Sequence, residues 1–172
     1  MMAEVALAHI IGTVMLILIF LSAALFYQQY YFSLRIEAIS RQLQEAADYV
    51  ASNIADLVSL CFINPIDQLV IKTLDLPEKI GEDYYSIIIV KPIVSDAGEE
   101  IILVRAYLNS NPYVYGEAIL PFAMINLWDG EESIDSSIVQ PKRVVSSSTP
   151  NSVIWALARN GTITIGLGVK IV

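Results

Sequence analysis

Asp129-Gly130-Glu131-Glu132-Ser133-Ile134-Asp135 is the part of the chain whose residue types come nearest to metal chemistry. Carboxylates and a hydroxyl on a tight turn are the hard oxygen ligands that calcium takes. The spacing is not that of an EF-hand loop, so a solvated acidic turn is the first reading of Asp129–Asp135 and calcium the second. Asp96, Glu99 and Glu100 form a smaller acidic turn of the same kind. Paired carboxylates do acid–base work only where a pocket tunes them, and no His, Arg or aromatic motif is arranged around either group. Asn160-Gly161-Thr162 is an N-glycosylation sequon, which makes Asn160 a candidate modification site in an extracytoplasmic domain. Ser146-Ser147-Ser148-Thr149-Pro150 reads as a flexible loop. Cys61 is the single cysteine, so no intrachain disulfide can form. Walker, Rossmann, zinc and nucleophile-elbow signatures do not occur. The expectation is a protein that is not an enzyme and takes no cofactor.

The elements that carry these residues are set by composition first. The 172 residues are 55% hydrophobic and 16% charged, with a mean hydropathy of +0.58. Soluble domains carry about a quarter charged residues, so part of this chain sits in lipid or in a dry assembly. The length suits one ordinary domain and an anchor. A net charge of −8, with ten Lys and Arg scattered along the chain, excludes a nucleic-acid partner, which would need a basic face. It also excludes polybasic docking on anionic lipid. It suits a surface in salty medium.

Val5–Leu34 contains no Asp, Glu, Lys or Arg. A membrane span needs roughly 20 apolar residues, and Ile10–Phe26 with its flanks supplies them. A cleaved secretory signal would want a basic start and a shorter apolar run. Glu4 and His9 lie at the start of the run, where snorkelling to the interface is the cheap explanation for a charge. Ala8 and Gly12 form a small-xxx-small pair of the type that lets helices approach closely. Tyr27, Tyr30, Tyr31 and Phe32 mark the end of the lipid-like stretch, as an interfacial aromatic belt does, and the same rings could pack between helices of a filament. Beyond it, Ile36, Ile39, Leu43, Ala46, Val50, Ile54, Leu57 and Cys61 recur every three or four residues, which is one apolar stripe of a helix. Glu37, Arg41, Gln44, Glu45 and Asp48 take the other faces. No Pro or Gly falls between Gly12 and Pro65, so a continuous helix of about 90 Å is predicted, ending at Asn64-Pro65.

From Gln68 onward the period changes to two. Strands are predicted over Leu69–Leu74, Tyr84–Val94, Glu100–Leu108, Val114–Leu120, Val139–Ser146, Ser152–Ala158 and Thr162–Ile171. Asn160-Gly161 is the strongest hairpin signal among the turns between them. In the last strand Ile163, Ile165, Leu167, Val169 and Ile171 share one side. Thr162, Thr164, Gly166 and Gly168 share the other, a smooth side on which a backbone or helix can lie close. The predicted fold class is α+β. A long N-terminal helix, hydrophobic and then amphipathic, precedes an antiparallel β-sandwich or partly closed barrel. The predicted boundaries are 1–34 for the hydrophobic helix, 35–64 for its amphipathic continuation and 65–172 for the β-rich domain. Ile36, Ile39, Leu43, Val50, Ile54 and Leu57 are the residues expected to pack the helix on the sheet.

This layout resembles that of type IV pilins. Within the β-domain, Leu76-Pro77-Glu78-Lys79-Ile80-Gly81-Glu82-Asp83-Tyr84-Tyr85-Ser86-Ile87 resembles a pattern of archaeal pilin-like and archaellin-like surface proteins, in which Leu-Pro, Ile-Gly and Tyr lead into a strand. Physically it is a turn that delivers Tyr84 to an edge or core position. The resemblance implies a subunit of a helical homopolymer, with apolar helices bundled in the core and β-domains outside. It implies a membrane stage, an assembly ATPase with its platform, and export to a surface filament for adhesion or motility. Glu4, Ala8, Gly12, Leu16, Phe20 and Ala24 would belong to the assembly helix, where Glu4 could neutralise the free amino terminus of a neighbouring subunit. Two features depart from the family: no Lys or Arg precedes the apolar run, and Glu4 is the only candidate for the glutamate that bacterial pilins place at the fifth mature position. The alternative is a monotopic anchored module contacting a surface-layer protein, in the manner of archaellum anchor proteins.

Overall fold

The computed structural model describes residues 2–63, 67–94, 100–122, 125–130, 134 and 137–171; the side chains of residues 2–8, 91–94 and 100 lie outside the description. The chain divides into two compact units, Met1–Ala38 and Ile39–Val172. One helix, α1 (Met2–Ile63), supplies residues to both. With no proline or further glycine to interrupt its hydrogen-bond ladder, α1 runs unbroken. Its described residues reach Ile63; the predicted stop at Asn64-Pro65 lies outside the described residues.

In the first unit every described side chain from His9 to Arg35 is exposed. Among the described residues, α1 is the helix long and apolar enough to cross a membrane.

The second unit is a sandwich of two sheets, as the α+β reading expects, and it does not close into a barrel. The strands are β1 (Gln68–Thr73), β2 (Tyr85–Val94), β3 (Glu100–Leu108), β4 (Tyr115–Leu120), β5 (Ile125–Leu127), β6 (Val139–Lys142), β7 (Val144–Ser146), β8 (Ser152–Arg159) and β9 (Thr162–Lys170). One sheet has the order β1-β8-β9-β5, with β6 also paired to β9; the other is β4-β3-β2-β7. Two strands depart from the sequence prediction. β5 has three residues, too few for an alternation to be read, and it pairs parallel with β9, so its sheet is mixed. The predicted strand Val139–Ser146 is two strands, because the chain changes sheet at Arg143: β6 pairs with β9 and β7 with β2. Such sheet-switching strands form the corners of sandwiches.

The interior faces of both sheets meet the C-terminal half of α1 in one core. Tyr85, Ile87 and Val104 from one sheet, and Ile154, Ile165 and Leu167 from the other, are all 2% exposed or less and belong to the same cluster as Leu43, Val50 and Val58. The stripe buried on α1 is wider than predicted, since Ala47, Ala51 and Val58 join it. A helix in a trough between two sheets is touched on both flanks, whereas a helix on one sheet needs only a narrow stripe.

The outer face of the β1-β8-β9 sheet has its own small core. Trp155 stands opposite Gly166 in the β8–β9 register, and a Cβ on Gly166 would run into the indole. The ring donates its Nε1–H to the Leu167 carbonyl at 2.9 Å and meets Trp128 edge to face, centroids 6.2 Å apart. Gly168 lies against Val139 and the Gln140 carbonyl of β6. The smooth side of the last strand is thus covered by an indole and a neighbouring strand, and not by a helix. Ile171 departs from its predicted row and is 51% exposed.

Gly116 marks the closest approach of strand and helix. A Cβ built there would run into the α1 backbone at Leu43 and Gln44. Gly116→Ala is expected to lower stability by about 1–3 kcal/mol, the usual range for overpacking. Chemical denaturation of the full chain checks this, and an unchanged midpoint would mean that helix and strand do not meet this closely.

Candidate assembly surfaces

The predicted assembly residues fall on the first unit. Gly12, Leu16, Phe20 and Ala24 are all exposed there, Leu16 at 56% and Phe20 at 69%. A Cβ on Gly12 would meet nothing within 4 Å, so the chain's own fold does not require this glycine. The side chains of Glu4 and Ala8 lie outside the described residues. Between Gly12 and Ala24 two hydroxyls interrupt the apolar surface, and both are satisfied inside the helix. Thr13 Oγ1 donates to the His9 carbonyl at 2.9 Å and Ser22 Oγ to the Leu18 carbonyl at 2.8 Å. Back-bonding of this kind leaves neither of these two hydroxyls unpaired in lipid or in a dry bundle.

The predicted helix-to-sheet residues fall mostly on the second unit. Leu43, Val50, Ile54 and Leu57 are 0–3% exposed, and Ile39 packs half-buried against the same core. Ile36 is half-buried and belongs to the first unit.

Sequence reasoning placed Gln44 on an outer face of the helix, and here the structure corrects it. Gln44 Nε2 donates to the Glu117 carbonyl at 2.6 Å, and the Glu117 N–H donates to Gln44 Oε1 at 3.1 Å. The side-chain amide takes the place of a neighbouring strand on the free edge of β4. Ser40 Oγ, one turn earlier, donates to the Tyr115 carbonyl at 3.3 Å. An unpaired edge is a template for aggregation unless something covers it, and α1 covers this one with side chains. Only the adjacency of Gln44 to Leu43 in the apolar stripe hinted at this role.

The edge of the other sheet on this flank, β1, is held more lightly. Lys72 of β1 pairs with Asp56 of α1 at 3.2 Å, both partners well exposed. Tyr49 Oη accepts the Asp75 N–H at 3.4 Å. Exposed pairs of this type contribute little.

No protein-family model, curated protein or solved structure matches the chain.

The segment from Leu76 to Ile87 folds into a tight clasp. Ile80 and Asp83 exchange backbone hydrogen bonds around Gly81, whose φ is +65°, the geometry that a glycine-first hairpin turn requires. The turn delivers Tyr85, not Tyr84, to the core: Tyr85 is 0% exposed and Tyr84 is 38% exposed. Tyr84 stays outside under the Lys79 ammonium, 4.8 Å from the ring centroid. Ser147, expected in a flexible loop, locks this segment. Its N–H donates to the Tyr85 carbonyl at 2.8 Å, its Oγ donates to the Glu78 carbonyl at 2.7 Å, and its Oγ accepts the Tyr85 N–H at 3.2 Å.

Among the remaining candidates, Glu131, Glu132, Ser133 and Asp135 of the acidic turn lie outside the described residues, as do Asp96 and Glu99. Among the described residues no group of three His, Cys, Asp or Glu side chains is placed to hold a metal. Asn160 is exposed at the tip of the β8–β9 hairpin, and Asn160 and Gly161 have φ of +50° and +77°, the predicted turn. Cys61 is buried at 2%, and burial raises its thiol pKa.

Two predictions follow from these contacts. Gln44→Ala orphans a partly buried N–H and C=O on the β4 edge, which should cost about 1–3 kcal/mol and speed hydrogen exchange at Glu117. Exchange at the wild-type rate would mean that the amide does not pair the edge. The second concerns Tyr85, whose hydroxyl has no hydrogen-bond partner among the described residues. Burial pushes its pKa up to about 12, above the usual value near 10. The unfolded chain therefore loses this proton first as pH rises. The stability due to the protonated phenol is full below about pH 10 and is lost toward pH 12, at a slope approaching 1.4 kcal/mol per pH unit. Tyr85→Phe should remove that slope from alkaline denaturation curves; an identical slope in the variant would contradict the assignment.

Proposed function

We propose that this chain is a structural subunit of an archaeal type IV pilus-like surface filament, with the apolar helices bundled in the core and the β-sandwiches outside. The observation that carries the proposal is the exposed apolar surface of the first unit. Ile10, Ile17, Phe20 and Phe26, among others, stand 51–71% exposed on a helix without charge from Val5 to Leu34. A helix that is hydrophobic on all sides belongs in lipid or in a bundle.

The uncharged run of thirty residues is long enough to cross a bilayer with its interfaces and to line a filament core, and its aromatic end, Phe26 to Phe32, suits a membrane interface or the gaps between neighbouring helices. Membrane insertion is then the stage before assembly, and the acidic sandwich suits the exterior. Assembly would draw on an ATPase and platform supplied by other chains.

Leu18→Lys and Ile11→Lys each place a charge on the exposed apolar surface of the first unit, at residues that take no part in the buried cluster of the second. Both are expected to abolish filaments in the producing cells while the β-domain keeps its cooperative unfolding. Intact filaments from either variant would refute helix packing in the filament core.

A further inference from the structure

We infer that Asn160 carries an N-linked glycan whose first sugar lies in the groove beside the β8–β9 hairpin. The inference goes beyond the filament reading and rests on one part of it, the placing of the sandwich outside the membrane.

The sequon and its setting are the first observation. Of the seven asparagines in the chain, Asn160 alone has a Ser or Thr two positions on, the pattern that the transfer requires. Arg159 stands opposite Thr162 in the β8–β9 register, so Asn160 and Gly161 form a two-residue turn. Asn160, Gly161 and Thr162 are all exposed at its tip. The backbone there is held in place: φ is +50° at Asn160 and +77° at Gly161, and the Asn160 N–H donates to Asp67 Oδ1 at 3.1 Å. The side chains of Asn160 and Thr162 make no hydrogen bond among the described residues. The fold thus fixes the turn through its backbone and leaves the two side chains of the sequon accessible.

The second observation is the groove. It has a volume of 250 Å³ and is lined by Arg159, Asp67, Gln68, Leu69 and Leu157, among others. It lies where β1 begins and β8 ends, with Leu69 opposite Leu157 and Gln68 opposite Ala158. A pyranose presents hydroxyls at its edge and C–H groups on its face. The carboxylate, amide and guanidinium groups suit the hydroxyls, and the two half-buried leucines suit the apolar face. Asp67 joins the two observations, since it holds the Asn160 N–H and also lines the groove.

The step itself is a group transfer. The Asn160 amide nitrogen attacks the anomeric carbon of a polyprenyl-phosphate-linked oligosaccharide. The carbon–nitrogen bond forms as the anomeric carbon–oxygen bond breaks, the lipid phosphate leaves, and one amide proton passes to a base of the transferase, a membrane enzyme supplied by other chains. A bulky hydrated chain at this site keeps the hairpin end of the sandwich in solvent.

Trypsin cuts after Arg159 and Lys170, so peptide 160–170 reports the site, or peptide 144–170 where the sugar shields Arg159. Mass spectrometry of this peptide, from membranes and sheared filaments of the producing cells, is expected to show a sugar on Asn160 in most copies. Thr162→Ser should keep the sugar and Thr162→Ala should abolish it; Thr162 is exposed, so neither change reaches the core. Hydroxyl-radical footprinting then compares the wild-type chain with Thr162→Ala, and Leu69 and Leu157 are expected to lose labelling in the glycosylated chain. An unmodified or deamidated Asn160, a sugar that persists in Thr162→Ala, or equal labelling of the two leucines overturns the inference. Glycosylated chain in cells whose filaments lack it sustains the inference and removes the filament reading. Filaments built of this chain with a bare Asn160 remove the inference alone.

Discussion

The sandwich has two flanks, and the chain closes them by different means. On one, the step from β6 to β7 at Arg143 stitches the sheets with backbone hydrogen bonds. On the other, α1 must do the work, because β4 ends its sheet with unpaired backbone groups and β1 ends the other sheet. The Gln44 amide on Glu117 is the interaction on which the rest depends, since it lets a helix occupy the place of a strand. Gly116 makes room for that approach, and the broad alanine-rich stripe of the helix fills the trough behind it. The later half of α1 is therefore an internal part of the sandwich.

This arrangement gives the two parts of one helix different obligations. Residues from Leu43 onward find apolar partners within their own unit, and burial of each large one stabilises the fold by about 1.5–3 kcal/mol. Residues 9–34 find none in theirs. Exposed apolar surface of that extent is incompatible with a dispersed monomer in water; a lipid bilayer or the proposed bundle would cover it. The hydroxyls of Thr13 and Ser22 fit that environment because the helix already satisfies them.

Most of the fold was legible because period carries it. The apolar run, the three-and-four stripe from Ile39 to Leu57 and the alternation in β9 each predicted an element that is present. What escaped lacked a period or depended on partners far along the chain. β5 is too short to alternate, and the break at Arg143 reflects a change of sheet that local sequence does not encode. Gln44 looked like a solvent residue because its partner lies 73 positions away. In the segment from Leu76 to Ile87 the turn was readable from Gly81, but the choice of Tyr85 over Tyr84 for the core is set by the pleat of β2, and one residue changes the face. The candidate assembly surface was readable as composition, since lipid and dry bundles ask for the same residues.

The measurement that bears most directly on the central claim is electron microscopy of filaments sheared from the producing cells, with mass spectrometry of their main protein and its N-terminal peptide. The account predicts that this chain is the principal component and that density for its apolar helices fills the filament core. Filaments built from other proteins, with this chain left in the membrane as separate copies, would contradict it.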